Sequence, residues 1–186
     1  MINYIYKRYF IELENVWMKI DYSILKIIIS RLHQLKVNNN TFFLCGNGGS
    51  ACNASHAAVD FLKLSGIRSI SLSDNAGILT AYGNDISFKE IFAGQIKKLA
   101  SKNDVLFILS VSGCSENVVR AAKVFKEMGG FVVSFIGKFS EKNTELRILS
   151  NESIEVYSDD YGIVESVHQM LMHIIASELR KEEDVN

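Results

Sequence analysis

Histidine, carboxylate and amide side chains recur at helical spacing in two distant parts of the chain. His56 and Asp60 are four residues apart, and Glu165, Gln169 and His173 follow one another at four-residue steps. Residues four apart on a helix project from the same face, which is the spacing that lets two side chains bind one metal ion. Each set could equally be a surface pair or a buried, hydrogen-bonded histidine, and the spacing alone does not bring the two helices together.

Two loops rich in glycine and serine each stand between an apolar run and a helical pattern. Residues 46–50 read GNGGS, and residues 110–115 read SVSGCS. The first turn of a helix offers free backbone N–H groups, and glycine lets a ligand approach the backbone closely. Either loop alone could be a tight turn with serine as the N-cap, but two in one sheet favour a bound phosphate. Because the P-loop and G-x-G-x-x-G patterns are absent, a phosphomonoester is a better prediction than a nucleotide.

Short apolar runs alternate with helical patterns along the chain and must position these side chains. Such alternation predicts a parallel sheet covered by helices on both faces, which is a three-layer α/β fold. A surface loop is predicted over 138–144. The predicted strands cover 41–45, 68–72, 105–109, 131–136 and 153–157, and the predicted helices after the first strand cover 51–64, 88–99, 115–128 and 163–180.

The first 37 residues predict two helices, broken at Asp21, which is a suitable N-cap. Tyr6, Phe10, Ile27 and Ile29 fall outside the main apolar stripe. A second apolar face predicts packing against another subunit. We therefore expect one domain over 1–186, with 1–37 as a helical arm used in oligomerisation.

Composition excludes several classes of protein. Hydrophobic residues make up 48% of the chain and charged residues 22%, which is ordinary for a globular protein. The net charge of -1 gives no electrostatic reason to expect nucleic acid or an anionic membrane as a partner. The three cysteines lack C-x-x-C spacing, and no segment approaches the roughly 20 apolar residues of a membrane span. We therefore predict a cytoplasmic protein that binds neither nucleic acid nor membrane.

Four motifs occur in an order that resembles a known family. They read GNGGSACNASHAAVDF, TAYGNDISFKEIF, SVSGCSENVVRAA and VESVHQMLMH. Together they resemble the SIS (sugar isomerase) domain and, within it, the phosphoheptose isomerases, over roughly 3–179. The resemblance implies a three-layer αβα sandwich with a central parallel five-stranded sheet in flavodoxin-like order, preceded by N-terminal helices.

The resemblance also implies an activity and an assembly. Phosphoheptose isomerases are homotetramers, with active sites completed at subunit interfaces, that convert sedoheptulose 7-phosphate to D-glycero-D-manno-heptose 7-phosphate for the heptoses of lipopolysaccharide or capsule. By position, the residues expected to contact this sugar phosphate are Asn47, Gly48, Gly49, Ser50, Asn84, Asp85, Ser110, Val111, Ser112 and Ser115.

The family's zinc ligands are His, Glu, Gln and His, and they fall here on His56, Asp60, Glu165 and His173. The second and third therefore depart from the family pattern. The resemblance gives the catalytic base to the second ligand and the acid to the last, so Asp60 or Glu165 is expected as base and His173 as acid. Because Asp60 is one methylene shorter than Glu, the base must approach the sugar differently. Two carboxylates would also cancel the charge of one bound Zn²⁺.

Two other functions are compatible with the sequence. The chain could be a SIS isomerase for another phosphosugar, since the changed ligands lie beside the reacting carbons. It could also be a non-catalytic SIS protein that binds the replication initiator or senses a sugar phosphate. Retention of four metal-competent side chains favours the enzyme.

Overall fold

The computed structural model describes the backbone of residues 2–137 and 144–180, with side chains from residue 4 onward. The predicted loop 138–144 lies outside the described residues except for Thr144. The elements in chain order are α1 (Ile2–Trp17), α2 (Tyr22–Val37), β1 (Phe42–Gly46), α3 (Gly49–Lys63), β2 (Ser69–Ser71), α4 (Ala76–Asp85), a 3₁₀ turn (Phe88–Glu90), α5 (Ala93–Leu99), β3 (Val105–Ser110), α6 (Glu116–Glu127), β4 (Phe131–Gly137), α7 (Glu145–Leu149), β5 (Glu152–Val156) and α8 (Tyr161–Arg180).

The described strands form one parallel sheet of five strands in the order β2-β1-β3-β4-β5. The predicted fold class is therefore confirmed. The strand order reverses between β1 and β3, and ligands in open α/β sheets bind beyond the carboxyl ends of the strands at such a point. Gly46 at the end of β1 pairs with Leu109, one residue before β3 ends at Ser110. The two predicted phosphate loops therefore leave the sheet side by side.

Alternate side chains along each strand build a separate core on each face of the sheet. Phe42 and Leu44 pack with α1, α2, α3 and α8, while Phe43 and Cys45 pack with α5, α6 and α7. All four of these side chains are fully buried. This two-sided burial explains why the strands read as continuous apolar runs and not as alternating patterns.

Two local predictions can be compared directly with the structure. Asp21 is the N-cap of α2, because its side chain accepts a hydrogen bond from the Ser23 backbone N–H at 2.9 Å. Helix α4 was not predicted: none of its residues is fully buried, and it packs against the core through the partly buried Leu79 and Tyr82. Helix α4 is capped by Asn75, whose side chain accepts a hydrogen bond from the Ile78 N–H at 3.0 Å.

The helix predicted over 88–99 is in fact a 3₁₀ turn followed by α5.

Among the described residues, no helix combines the length and apolar character needed to cross a bilayer.

Candidate active site

The first phosphate loop leads directly from β1 into α3. Gly48, the N-cap residue, has φ of +55° and makes no side-chain capping hydrogen bond. A Cβ on Gly46 would lie 2.8 Å from atoms of Ser50, so the loop is too tight for a side chain there. The first-turn N–H groups of α3 therefore face the loop without a side-chain cap, as an anion site requires.

The second loop carries three serines between β3 and α6. Ser110 Oγ accepts from the Gly113 N–H at 3.0 Å, and Ser112 Oγ accepts from the Cys114 N–H at 3.3 Å. Ser115 is the N-cap residue of α6 but makes no side-chain capping bond. Gly113, with φ of +65°, provides the turn. Each hydroxyl keeps its own O–H proton to donate to an oxygen-rich ligand.

A cavity of about 130 Å³ lies between the two loops and α8. It brings together seven of the residues that the sequence predicted for the site, and adds Leu109 and Tyr161. The predicted residues in its lining are Asn47, Ser50, Ser110, Val111, Ser112, Ser115 and Glu165.

Asn84 and Asp85 lie elsewhere, at the end of α4. Both are exposed, and the Asn84 amide donates to the Asp85 carboxylate at 2.8 Å. They do not line the cavity between the loops. Their contact with substrate therefore stays a prediction.

An amide pair joins the two loops. The Asn47 amide donates to Asn117 Oδ1 at 2.9 Å, and the Asn117 amide donates back to Asn47 Oδ1 at 2.8 Å. Asn117, buried in the first turn of α6, was not predicted for the site. Nothing in the sequence singled it out, because its partner is 70 residues away.

His56, Asp60 and His173 form the group of potential metal ligands among the described residues. One ligand atom from each lies within 4.8 Å of the other two. His56 Nε2 is 3.4 Å from Asp60 Oδ2, and His173 Nδ1 is 3.0 Å from the same oxygen. Two ligands of one tetrahedral Zn²⁺, each about 2.0–2.1 Å from the ion, lie about 3.3 Å apart. The spacing of the three side chains therefore suits one metal ion.

The Asp60 carboxylate gives a second sign that the group suits a metal. Its Oδ2 atom is buried and makes no hydrogen bond of normal geometry among the described residues, although both histidines are close. A buried carboxylate oxygen without a hydrogen bond is costly unless a cation compensates it. Imidazole nitrogen and carboxylate oxygen are ordinary ligands of Zn²⁺. The three side chains thus fit the predicted zinc ion.

Two hydrogen bonds hold α3 against α8 and so bring these ligands together. The Asn53 side chain donates to the Glu165 carbonyl oxygen at 2.8 Å, and the Ser65 hydroxyl donates to the Ala176 carbonyl oxygen at 3.0 Å. Small buried residues on α3, among them Ala54 and Ala57, let the helices approach closely.

Glu165, the remaining predicted ligand, is not a member of the group. Its carboxylate lies against Gly49, at the start of α3, and lines the cavity between the phosphate loops. The structure thus places Glu165 with the predicted substrate contacts. Gln169, one turn further along α8, contacts His173 instead, with 3.2 Å between its Nε2 atom and the ring Nε2.

His168 is fully buried and packs 5.8 Å from the Phe135 ring. Neither ring nitrogen has a hydrogen-bond partner among the described residues. Burial lowers the pKa of His168 to about 3, so the ring is neutral at physiological pH. Its place in the core accounts for this histidine without a role in proton transfer.

Comparison with known proteins agrees with this geometry. The family model described as "SIS domain" matches residues 13–137. Phosphoheptose isomerase of Nitratiruptor sp. is 36% identical over 169 residues, covering 88% of each chain. Phosphoheptose isomerase of Helicobacter pylori strain Shi470 is 36% identical over 143 residues, covering 74% of this chain and 73% of that protein.

Solved structures show the same fold. A phosphoheptose isomerase from Francisella tularensis superposes with a TM-score of 0.87 at 22% identity, covering 97% of this chain and 96% of the other. One from Neisseria gonorrhoeae also gives 0.87, at 23% identity and 97% coverage of both chains. The chain therefore belongs to the SIS domain family and, within it, to the phosphoheptose isomerases.

Proposed function

We propose that this protein converts sedoheptulose 7-phosphate to D-glycero-D-manno-heptose 7-phosphate, the first step toward the heptoses of lipopolysaccharide or capsule. The observation that carries the proposal is the convergence of His56, Asp60 and His173 on the two helices that also border the phosphate loops. His56 lies six residues beyond Ser50 on α3, a rise of about 9 Å. That separation suits an open-chain sugar with its phosphate at one end and its carbonyl at the other.

The serine loops hold the phosphate in this proposal. The hydroxyls of Ser110, Ser112 and Ser115 donate to phosphate oxygens, together with free N–H groups at the start of α3. The net charge of -1 supplies no general attraction, so these local donors must bind the anion. The wall around the phosphate is formed by Asn47, Gly48, Gly49, Ser50 and Val111.

Isomerisation moves a proton between adjacent carbons through an enediol. A base removes the proton from C1 of the ketose, and an acid supplies protons as the aldose forms. Asp60 is one candidate base, and its carboxylate lies 3.0 Å from His173, the proposed acid. Glu165 is the second candidate, since it faces the cavity. The variants Asp60→Asn and Glu165→Gln separate the two, because loss of the base abolishes proton exchange at C1 with solvent.

One Zn²⁺ per active site would be held by His56, Asp60 and His173. When bound, the ion would polarise the sugar's carbonyl and hydroxyl oxygens. Glu165 stays a proposed fourth ligand, and reaching the ion would require its side chain to leave Gly49.

We further propose a homotetramer with active sites at subunit interfaces. The support is a set of exposed apolar side chains on α1, which a single chain leaves uncovered: Tyr4, Ile5, Tyr6, Phe10 and Ile11. Asn84 and Asp85 would meet substrate in a site completed this way. Three free cysteines suit the reducing cytoplasm, where we place the protein.

The test is conversion of sedoheptulose 7-phosphate by the purified protein, with and without a chelator, compared with His173→Ala. We expect turnover that the chelator suppresses and a loss of at least about 100-fold in the variant, because an acid and a ligand are removed together. His33→Ala, an exposed histidine on α2, is the matched control and should retain full activity. If the protein converted none of the seven- and six-carbon ketose phosphates, the proposed isomerase activity would be contradicted.

A different phosphosugar is the second candidate, favoured by the Glu165 carboxylate in the cavity. A panel of ketose phosphates tests this candidate, since kcat/KM would then be higher for another ketose phosphate than for sedoheptulose 7-phosphate. The non-catalytic alternatives predict no turnover of any member.

A further inference from the structure

We propose that Gln169 is a positioning residue that holds the His173 ring so that Nδ1 faces Asp60 and the metal position. The inference rests on the proposed metal site and assigns a role to a residue that the family ligand set does not include.

The imidazole of His173 is engaged from both sides. On one side, Nδ1 lies 3.0 Å from Asp60 Oδ2, on the neighbouring helix α3. On the other, Nε2 lies 3.2 Å from the Gln169 carboxamide, one turn earlier on α8. The His56 ring, whose centroid is 5.0 Å from that of His173, closes the same group. The ring therefore cannot turn without breaking one of these contacts.

The chemistry of the two ring nitrogens assigns the role. An imidazole that gives the Nδ1 lone pair to a metal carries its proton on Nε2, and that N–H needs an acceptor. The Gln169 carboxamide lies at hydrogen-bond distance from Nε2 and has both a donor and an acceptor end. Gln169 is thus the side chain that can satisfy the outward N–H when Nδ1 binds the ion.

The second end of the carboxamide supports the same assignment. Gln169 Oε1 is buried and has no hydrogen-bond partner among the described residues, while Nε2 contacts the ring. A buried carbonyl oxygen without a partner is costly. If His173 bound an ion through Nδ1, its ring proton would be on Nε2, and rotation of the Gln169 carboxamide would let Oε1 accept that N–H. Oε1 would then have the partner that it lacks here.

Zinc affinity measures this role directly. In competition with a chromophoric chelator, Gln169→Leu should bind Zn²⁺ about 10–100-fold more weakly than the wild type, as expected when the partner of a metal-bound histidine is lost. Gln169→Glu should bind at least as tightly as the wild type, because a carboxylate is a stronger acceptor. Met170→Leu, at the next and exposed position of α8, is the matched control and should leave the affinity unchanged.

The outcomes separate the inference from the function. Equal zinc affinity in Gln169→Leu and the wild type overturns the inference while the isomerase stands. Equal weakening in the Leu and Glu variants also overturns it, since packing alone would then account for Gln169. If Gln169→Leu fails to fold, the Gln169→Glu variant decides: weaker Zn²⁺ binding by this variant than by the wild type overturns the inference. A wild type that isomerises without binding Zn²⁺ removes the metal from the proposed function as well as this role.

Discussion

Glu165 lies among the predicted substrate contacts, while its role as a metal ligand stays a prediction. The sequence places it on the same helical face as His173, but two turns away. In the fold its carboxylate rests on Gly49, where any other residue would put a Cβ against it. Gly49 has no positive φ, so the need for glycine here comes from Glu165 and not from the backbone.

Gly49→Ala should therefore act through Glu165. The new methyl group displaces the carboxylate from the cavity and raises KM for the sugar phosphate. Stability should change by less than about 1 kcal/mol, because only the flexible end of a side chain must move. Steady-state kinetics of Gly49→Ala, Glu165→Ala and the double variant check this.

The double variant should resemble Glu165→Ala alone, since the displaced group is already gone. Fully additive effects on KM would mean that the methyl group obstructs the substrate itself.

His168 predicts a dependence of stability on pH. Its pKa is about 3 in the folded state and about 6.5 when exposed. Between these values the unfolded chain binds a proton that the folded chain does not, so stability is complete above about pH 6.5 and falls as pH drops toward 3. The largest slope is about 1.4 kcal/mol per pH unit.

His168→Leu should remove this contribution. Urea unfolding at pH 6.5 and 5.0 should show the wild type losing about 1.6 kcal/mol more than the variant. Parallel losses in both proteins would mean that the folded state accepts the proton on His168.

At the scale of elements, the amide pair between Asn47 and Asn117 joins the start of α6 to the glycine loop. Both loops leave neighbouring strands, so the sheet register already places them side by side. The two hydrogen bonds then set their relative positions. Because one loop would contribute amides and the other hydroxyls, the proposed phosphate binding should depend on that relative position.

Asn117→Ala should weaken this connection. It leaves the partly buried Asn47 amide without its partner, at a cost of about 1–3 kcal/mol in the free energy of unfolding. KM should rise more than kcat falls, because the proposed proton-transfer groups lie on other helices. Lys123→Ala, exposed on α6, is the control. Wild-type KM in Asn117→Ala would show that each loop holds its position alone.

For the whole molecule, the notable feature is the apolar surface of α1. Tyr6 and Phe10 are 62% and 54% exposed, and their ring centroids are 4.8 Å apart. An exposed aromatic surface of this kind is typical of an interaction surface, and we expect another subunit to cover it. The proposed tetramer covers it.

Phe10→Glu should dissociate the assembly, since a charge would be buried without a partner. Size-exclusion chromatography with light scattering should report a smaller mass than for the wild type. Lys123→Glu introduces the same residue at an exposed position of α6, on the other face of the sheet from α1, and serves as the control. A monomeric wild type, or an unchanged mass in Phe10→Glu, would contradict the role of this face.

The parallel sheet, its helical layers and the two loops rich in glycine and serine follow from local sequence patterns. Apolar runs such as 105–109 are buried on both faces, and glycine and serine after a strand are typical of the turn into a following helix. Helix α4 was not predicted because its contact with the core rests on the partly buried pair Leu79 and Tyr82, which is too short a pattern to indicate a helix. The family motifs added the ligand positions but not their contacts.

Only the tertiary structure decided which side chains meet. Asn53 and the Glu165 carbonyl are 112 residues apart in the chain, so no local pattern could show that α3 and α8 pack together. Glu165, Gln169 and His173 share one helical face, and sequence spacing treats them alike. The contacts of Glu165 with Gly49 and of His173 with Asp60 arise from the packing of α3 against that face, whereas Gln169 contacts the His173 ring within α8 itself.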